Sequence, residues 1–317
     1  MSNAEDVQTS TLPGDLFLFP QQNVGFQIPF FISTEEEAAK VRPPDVVKTL
    51  EERVQELSDK QREVFGSFKK TVEMAPWYSE KEHDDWMLIR YLFARNFDMK
   101  KSLHMLERTV QWREKNAVDK WVCERCLKDP NHHMMQFVGW DLLHRPVCFM
   151  AMRWGPDRKE PMRHCVSTFT HLEKLMPGGV EQWVCVTDFE TFSYLRDSSP
   201  SIAHAVVKTI QDHFPERLGL MILVNPPTTF GLLWKMLSPV MDEKTKKKVL
   251  FLYTHSKPDA KDAFDKLFPP LLSNYLYETY KRSKKGNLPT TPVWYPGESN
   301  NNNNNNSSDV NSTNSKN

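Results

Sequence analysis

Four short segments constrain what this chain can fold into more than anything else in it. RPVCFMAM (145–152), WVCVTDF (183–189), LMILVN (220–225) and VLFLY (249–253) are rich in β-formers and almost continuously apolar. Strands read this way when both faces of their sheet are covered. Between them lie helical stretches: HCVSTFTHLEKLM, SIAHAVVKTIQDHF, and FGLLWKMLSPVM followed by EKTKKK. Ser201 is the expected N-cap of the second. Strand and helix alternating over residues 134–285 predict a mainly parallel sheet in an α/β domain.

Residues 43–121 read as a separate helical region. Pro43 and Pro44 precede a segment in which Val46, Val47, Leu50, Val54 and Leu57 recur at spacings of three and four, which suits one helix face. A second helix is expected over DDWMLIRYLFARNF, capped by Asp84 or Asp85. Met87, Ile89, Tyr91, Leu92 and Phe93 make it apolar around most of its circumference. A third, MKKSLHMLERTVQWREKN, follows Asp98 with a stripe of Leu103, Leu106, Val110 and Trp112. Residues 1–42 carry no sustained period and are expected to be a flexible segment. Residues 297–317, with the run Asn300–Asn306, cannot bury enough apolar area to offset their ordering entropy, and disorder is expected there.

Composition narrows the function. Forty-one basic and forty-one acidic residues in 317 give no net charge, which argues against a chain built around nucleic acid. Five cysteines without a repeating spacing do not form a secreted disulfide framework. The N-terminus lacks the pattern of a signal peptide, and no apolar stretch is long enough to cross a bilayer. A cytoplasmic protein with transient, peripheral membrane contact is the expectation. Catalytic motifs are absent: no G-x-S-x-G, H-E-x-x-H, P-loop or G-x-G-x-x-G occurs. Cys123 and Cys126, with His132 and His133, have the residue types of a zinc site, but their spacing is too short for the usual finger. Free thiols are expected, with no metal and no cofactor. Asp188, at a strand end beside Glu190, is an acid/base candidate that more often caps a turn. The reading is of a protein that is not an enzyme.

One helix stands apart. Thr229–Met241 reads TFGLLWKMLSPVM, with Lys235 its only charge. Composition alone favours a buried core helix. The other reading is a lid over an apolar cavity that also dips into the bilayer interface, which a Trp and a lone Lys suit. Lys244-Thr245-Lys246-Lys247-Lys248 follows at once. It is a solvated helix face or, beside such a helix, a site for an anionic headgroup. Thr245 and Lys248 are three apart and share a helix face. Lys281–Lys285 holds a second basic run, a polar exit or a contact for anionic lipid surfaces.

The stretch HFPERLGLMILVNPPTTFGLLWKMLSPVMDEKTKKKVLFL (213–252) resembles the CRAL-TRIO lipid-binding family, most closely its phosphatidylinositol/phosphatidylcholine transfer proteins. It has the aromatic before P-E-R-L-G, a strand ending Asn-x-Pro, an apolar gate helix ending Pro-x-x-D, and a Thr/Lys turn. MLIRYLFARNFDMKKSLHMLERTVQWREK (87–115) is similar to the family's N-terminal helical region, and GWDLLHRPVCFM to its D-x-x-G-R-P turn, with His144 in place of Gly. The resemblance implies an α/β fold whose sheet and helices form an apolar lipid pocket, preceded by the small helical region. It implies headgroup contacts from Arg95, Glu216, Thr245 and Lys248, and a gate carrying Phe230, Leu233, Trp234, Leu237 and Met241, hinged at Asn225-Pro226-Pro227. The ligands expected are phosphatidylinositol and a second hydrophobic lipid, and the task is exchange or presentation at membranes. Alternatives are a sensor or scaffold that regulates a lipid kinase or GTPases, and a binder of tocopherol-, retinoid- or sterol-like molecules. The chain departs from the pattern at Asn96, where a second basic residue is common. It departs again at Trp183 and Cys185, where choline-lipid carriers use small hydroxyl residues. A later Gly-Gly turn is missing from PPLLSNYLYETY.

Overall fold

Ser58 divides what the apolar spacing suggests is one helix into two. The computed structural model describes residues 48–122, 135–152, 161–176, 178–253 and 260–284, and Val46 and Val47 lie outside them. Helix α1 spans Leu50–Gln55 and α2 spans Asp59–Glu73. Each opens with a capping box, Thr49 with Glu52 and Ser58 with Gln61, so each satisfies its own first-turn N–H groups. Helix α3, Asp85–Ala94, is capped by Asp84 through a 2.8 Å bond from the Met87 N–H. Helix α4, Met99–Asn116, is capped by Asp98. Phe68 and Val72 of α2, Leu88 and Leu92 of α3, and Leu106 of α4 build a core of their own. The inward line of α4 is Ser102, Met105, Leu106 and Thr109, with Leu103 and Val110 at its flanks. It is rotated from the stripe that the apolar residues alone suggest, because α4 also packs on a helix of the second region.

That second region is a five-stranded sheet in sequence order: β1 (Met135–Trp140), β2 (Pro146–Ala151), β3 (Trp183–Asp188), β4 (Leu218–Val224) and β5 (Val249–Leu252). Strands β2 to β5 run parallel, while β1 joins β2 as an antiparallel edge. The edge strand is an addition to the four apolar segments: MQFVGW holds a Gln and a Gly and does not read as a fully covered strand. The helices between strands are α5 (Pro161–Lys174), α6 (Tyr194–Asp197), α7 (Pro200–His213), α8 (Phe230–Leu237) and α9 (Glu243–Lys247), and α10 (Ala260–Asp265) and α11 (Pro270–Lys284) follow β5. The N-cap of α7 is Ser199, not Ser201, because Pro200 takes the first helical position, where its missing N–H costs nothing.

The two sheet faces are covered differently. Val147, Phe149, Val184, Val186, Ile222 and Val224 meet Phe264, Phe268, Leu272, Tyr275 and Leu276 from α10, α11 and the turn between them. The alternate residues Cys148, Trp183 and Cys185 meet Cys165, Val166, Phe169 and Leu172 of α5. Further along that second face, Phe189 and Leu223 meet Phe230, Leu233 and Leu237 of α8.

An ionic chain joins the helical region to this sheet. Arg90 of α3 pairs with Glu181, and Glu181 accepts from Arg217 at 3.0 Å. Arg217 also donates to Glu173 of α5 at 3.1 Å, Glu173 accepts from Arg113 of α4 at 3.3 Å, and Arg113 pairs with Asp119 at 2.7 Å. Burial would raise the Glu173 carboxyl, but Arg217, Arg113 and Arg90 outweigh it and hold its pKa below the ordinary value. Removing one member leaves a partner charged and desolvated. Glu173→Ala is expected to cost about 3–5 kcal/mol, read by urea denaturation, whereas the exposed pair partner substituted in Lys208→Ala is expected to cost under about 1 kcal/mol.

Candidate lipid-binding site

Residues flanking β4 hold the backbone features on which the site is built. Glu216, just before the strand, has φ +59°, and Asn225, just after it, has φ +48°. Left-handed backbone suits Asn and is costly for Glu, so the second position is held by its surroundings. Gly219 lies inside P-E-R-L-G because a Cβ there would sit 2.7 Å from Arg145 Nη1 and 3.1 Å from Gln182. The same backbone logic explains two departures from the family pattern. Asn96 has φ +50° at the end of α3, where Asn is a favoured left-handed residue. His144 has φ +56° in the β1–β2 turn, the position that Gly takes in the pattern. That turn is fixed by Asp141, which accepts from the Leu143 and Arg145 N–H groups and pairs with the Arg145 guanidinium.

The expected headgroup residues fall into two places. Lys248 Nζ lies 3.5 Å from Glu216 Oε2. Thr245 belongs to α9, and its hydroxyl donates to Asp242 at 2.8 Å, while the Asp242 carboxylate also caps α9 through the Thr245 N–H. Glu216 lines a cleft of about 340 Å³ together with Lys48, Arg53, Arg90, Arg145 and Gln182. Arg95 is elsewhere. It lines a cleft of about 120 Å³ with Lys101, His104, Arg108, Asp212 and His213, a set that includes none of the other three residues. The fold therefore joins Glu216 with Lys248, keeps Thr245 on the same short helix turn, and separates Arg95 from them in this conformation.

The segment expected to form the gate holds α8, which is shorter than Thr229–Met241. The α-helix ends at Leu237 and a 3₁₀ turn, Ser238–Val240, carries the chain to Met241, because Pro239 cannot donate to the α-helical ladder. Its faces divide cleanly. Phe230, Leu233 and Leu237 are buried on the sheet, while Trp234 and Met241 are half-buried beside them. Leu232 and Met236 are 54% and 53% exposed on the opposite side, with Lys235 also exposed. One face of the helix is core, as its composition favours, and the other is apolar surface. Lifting the helix would expose three large side chains at roughly 1.5–3 kcal/mol each. An apolar environment on the outer side offsets that cost.

The residue that the sequence singled out for acid/base work is a structural cap. Asp188 Oδ1 accepts from the Glu190 N–H at 2.9 Å, and Glu190 in turn accepts from the Asn225 amide at 3.1 Å, tying the end of β3 to the hinge after β4. Cys123, Cys126, His132 and His133 lie outside the described residues, and no cluster of metal-ligating side chains occurs among the described ones. No described helix is long and apolar enough to cross a membrane. The arginines and glutamates of the ionic chain were not legible as a group, since they come from five separate segments. Only Arg217, inside P-E-R-L-G, carried a signal.

Comparison with known proteins decides the family. The CRAL/TRIO domain matches residues 131–270, and the CRAL/TRIO N-terminal domain matches residues 46–108. The chain belongs to the CRAL/TRIO lipid-binding family. It is 29% identical to Patellin-6 of Arabidopsis thaliana over 52% of this chain and 44% of that protein. It is 27% identical to the phosphatidylinositol transfer protein PDR17 of Saccharomyces cerevisiae over 61% of this chain and 59% of that one. The chain thus spans about half the length of these curated relatives. The solved structure of Sfh5 aligns with a TM-score of 0.48 at 19% identity, over 62% of this chain and 81% of that one.

The cleft around Arg95 carries a pH-sensitive contact. His213, at the end of α7, stacks on Trp112 of α4 with centroids 4.0 Å apart, and its Nδ1 lies 3.0 Å from the Thr109 hydroxyl. Burial, aided by the Arg108, Arg113 and Lys208 cations and opposed by Asp212, pulls its pKa down to about 4. The unfolded chain binds a proton here near pH 6.5, so between pH 6.5 and 4 it holds more protons than the folded state. Stability therefore falls as pH drops through that window, and this group adds no further loss below it. Burial lowers His83 and His171 in the same direction. His213→Gln is expected to reduce the loss of urea midpoint between pH 7 and pH 5 without abolishing it.

Proposed function

We propose that the protein is a carrier that extracts phosphatidylinositol from membranes, holds it beneath α8 and releases or presents it at another membrane, with no covalent step. The observation that carries this reading is the two-sided apolar gate. Phe230, Leu233 and Leu237 close the sheet face, while Leu232 and Met236 offer a second apolar surface outward. A helix that only completed a core would present polar residues to water. A helix that must move between a sheet and a bilayer interface needs both faces apolar. The exposed lysines Lys235, Lys244 and Lys247 suit an anionic membrane surface.

Headgroup recognition is assigned to the pair Glu216 and Lys248, with Thr245 beside them. A carboxylate accepts from polyol hydroxyls, and an ammonium offsets phosphate charge through a charge-assisted bond. Here each already holds the other at 3.5 Å, so an incoming inositol phosphate exchanges one pairing for two rather than meeting bare charges. Arg95 joins the set if the α3 end turns toward it when lipid enters. The test is transfer of labelled phosphatidylinositol between vesicles. Lys248→Ala and Glu216→Gln are each expected to lower the rate about tenfold, the effect of one charge-assisted bond, with unchanged urea midpoints. Normal transfer by both variants would remove the headgroup assignment.

A further inference from the structure

The seam between the helical region and the sheet holds a cleft that the lipid site does not use. It has a volume of about 830 Å³ and lies between the segment before α3, the second half of α4 and the end of α5. Small ligands take clefts of this size, and they favour the junction of two regions. None of Arg95, Glu216, Thr245, Lys248 or the gate residues lines it. Its buried floor is incompletely satisfied. Arg90 of α3 is 8% exposed and lines the cleft, and its Nε makes no hydrogen bond, although a terminal nitrogen pairs with Glu181. Thr170 of α5 is 6% exposed and lines the same cleft, and its Oγ1 has no partner. Glu173, one turn after Thr170 on α5, lies within reach of the Arg90 charge and ties the two together.

We propose that this cleft binds a small soluble organic anion, a phosphate monoester or a carboxylate, whose charged group accepts from Arg90 Nε and the Thr170 hydroxyl. The inference is independent of the phosphatidylinositol reading. A guanidinium nitrogen can only donate, so the group missing at Arg90 is an acceptor. Beside a buried cation, a charged acceptor makes the stronger bond. The carboxylates of the ionic chain do not fully compensate this arginine. Burial and the Arg217 charge pull its pKa down to about 9, against the opposing effect of Glu173 and Asp84. Lys81, Lys120 and Lys174 line the cleft, are exposed, and enter none of the described ion pairs around it. Glu82, Asp84 and Glu114 line it as well, Asp84 as the cap of α3. So mixed a lining disfavours acyl chains, whose burial would desolvate those charges, and suits a soluble ligand. The body of the anion has apolar neighbours in the half-buried Trp77, Met87 and Val110, and Trp77 is braced edge-on by His83 at 5.2 Å.

The test titrates phenyl phosphate and benzoate into the full chain by calorimetry, at an ionic strength held constant with chloride. At least one is expected to saturate a single site, and the tighter of the two identifies the charged group. Thr170→Val, which keeps the shape and loses the hydroxyl, is expected to bind it about tenfold more weakly, the effect of one hydrogen bond to a charged group. Without ligand this variant is expected to melt at or above the wild-type temperature. Thr170→Ser, which keeps the hydroxyl, and Lys208→Ala, which removes an exposed cation outside the cleft, are expected to bind as wild type does. Failure of both anions to bind, or equal binding by Thr170→Val, would overturn the proposal. So would a loss of the same size in Lys208→Ala, the mark of diffuse charge attraction, or a clearly lower melting temperature in Thr170→Val, the mark of a hydroxyl already satisfied.

Discussion

A parallel sheet with two apolar faces must have both of them covered, and the rest of this structure follows from how the second cover is made. One face meets α10 and α11 in a layer that includes Phe264, Phe268, Leu272, Tyr275 and Leu276, a permanent core. The other is shared between α5, which is anchored through Glu173 to two arginines, and α8, whose described contacts with the sheet are apolar side chains. Ionic contacts inside a protein are stiff, because displacement strands a charge in low dielectric. Apolar contacts are not stiff in that sense, since any apolar neighbour replaces them. The half of the sheet under α5 is held by ionic as well as apolar contacts, and the half under α8 by apolar side chains.

The arrangement of strained backbone fits that division. Glu216 and Asn225 bracket β4 in left-handed conformations, one beside the ionic chain and the other at the entry to the gate. Asn225 is fixed by its own backbone N–H to Leu252 and by its amide to Glu190. Asn225 is thus tied to the ends of β3 and β5 rather than lying in a loose loop. At the other end, Arg217 follows Glu216 immediately. The residue assigned to the headgroup is one peptide away from the residue that locks the helical region to the sheet.

The sequence disclosed what local physics determines. Strands β2 and β3 were legible because burial on both faces leaves continuous apolar runs; β4 and β5 carry such runs too, although β5 is only half-covered and exposes Leu250, and α8 was legible as a markedly apolar helix. The cap of α3 was narrowed to Asp84 or Asp85 from type and position, and Asp84 takes it, whereas the capping role of Asp98 came from the structure. What was missed depends on partners far away in the chain. Edge strand β1 mixes Gln136 and Gly139 among its apolar residues, so its pattern resembles neither template. The break at Ser58 is a choice between one helix and two that only the paired boxes at Thr49 and Ser58 decide. The inward face of α4 is set by α7, not by its own leucines. The mostly half-buried chain from Arg90 to Asp119 joins residues up to 127 positions apart, from Arg90 to Arg217, and single charges in a charged chain carry no mark of their pairing. The headgroup residues were named by resemblance, and the fold brings together Glu216 and Lys248 while Arg95 faces a different cleft.

That separation follows from how α3 ends. The α3 terminus is closed by two consecutive left-handed residues, Asn96 and Phe97, with the Phe97 N–H bonded to the Leu92 carbonyl at 2.7 Å. Such a cap fixes the backbone and leaves the preceding side chain to choose its side. Arg95 has one intramolecular hydrogen bond, to the Ala94 carbonyl at 3.0 Å, and no carboxylate partner among the described ion pairs. A long cation so weakly held costs little to redirect, whereas Arg90, one turn earlier and buried against Glu181, cannot move without stranding a charge. One arginine here is committed to architecture and the other is held by a single backbone carbonyl, and the difference between them is burial rather than residue type.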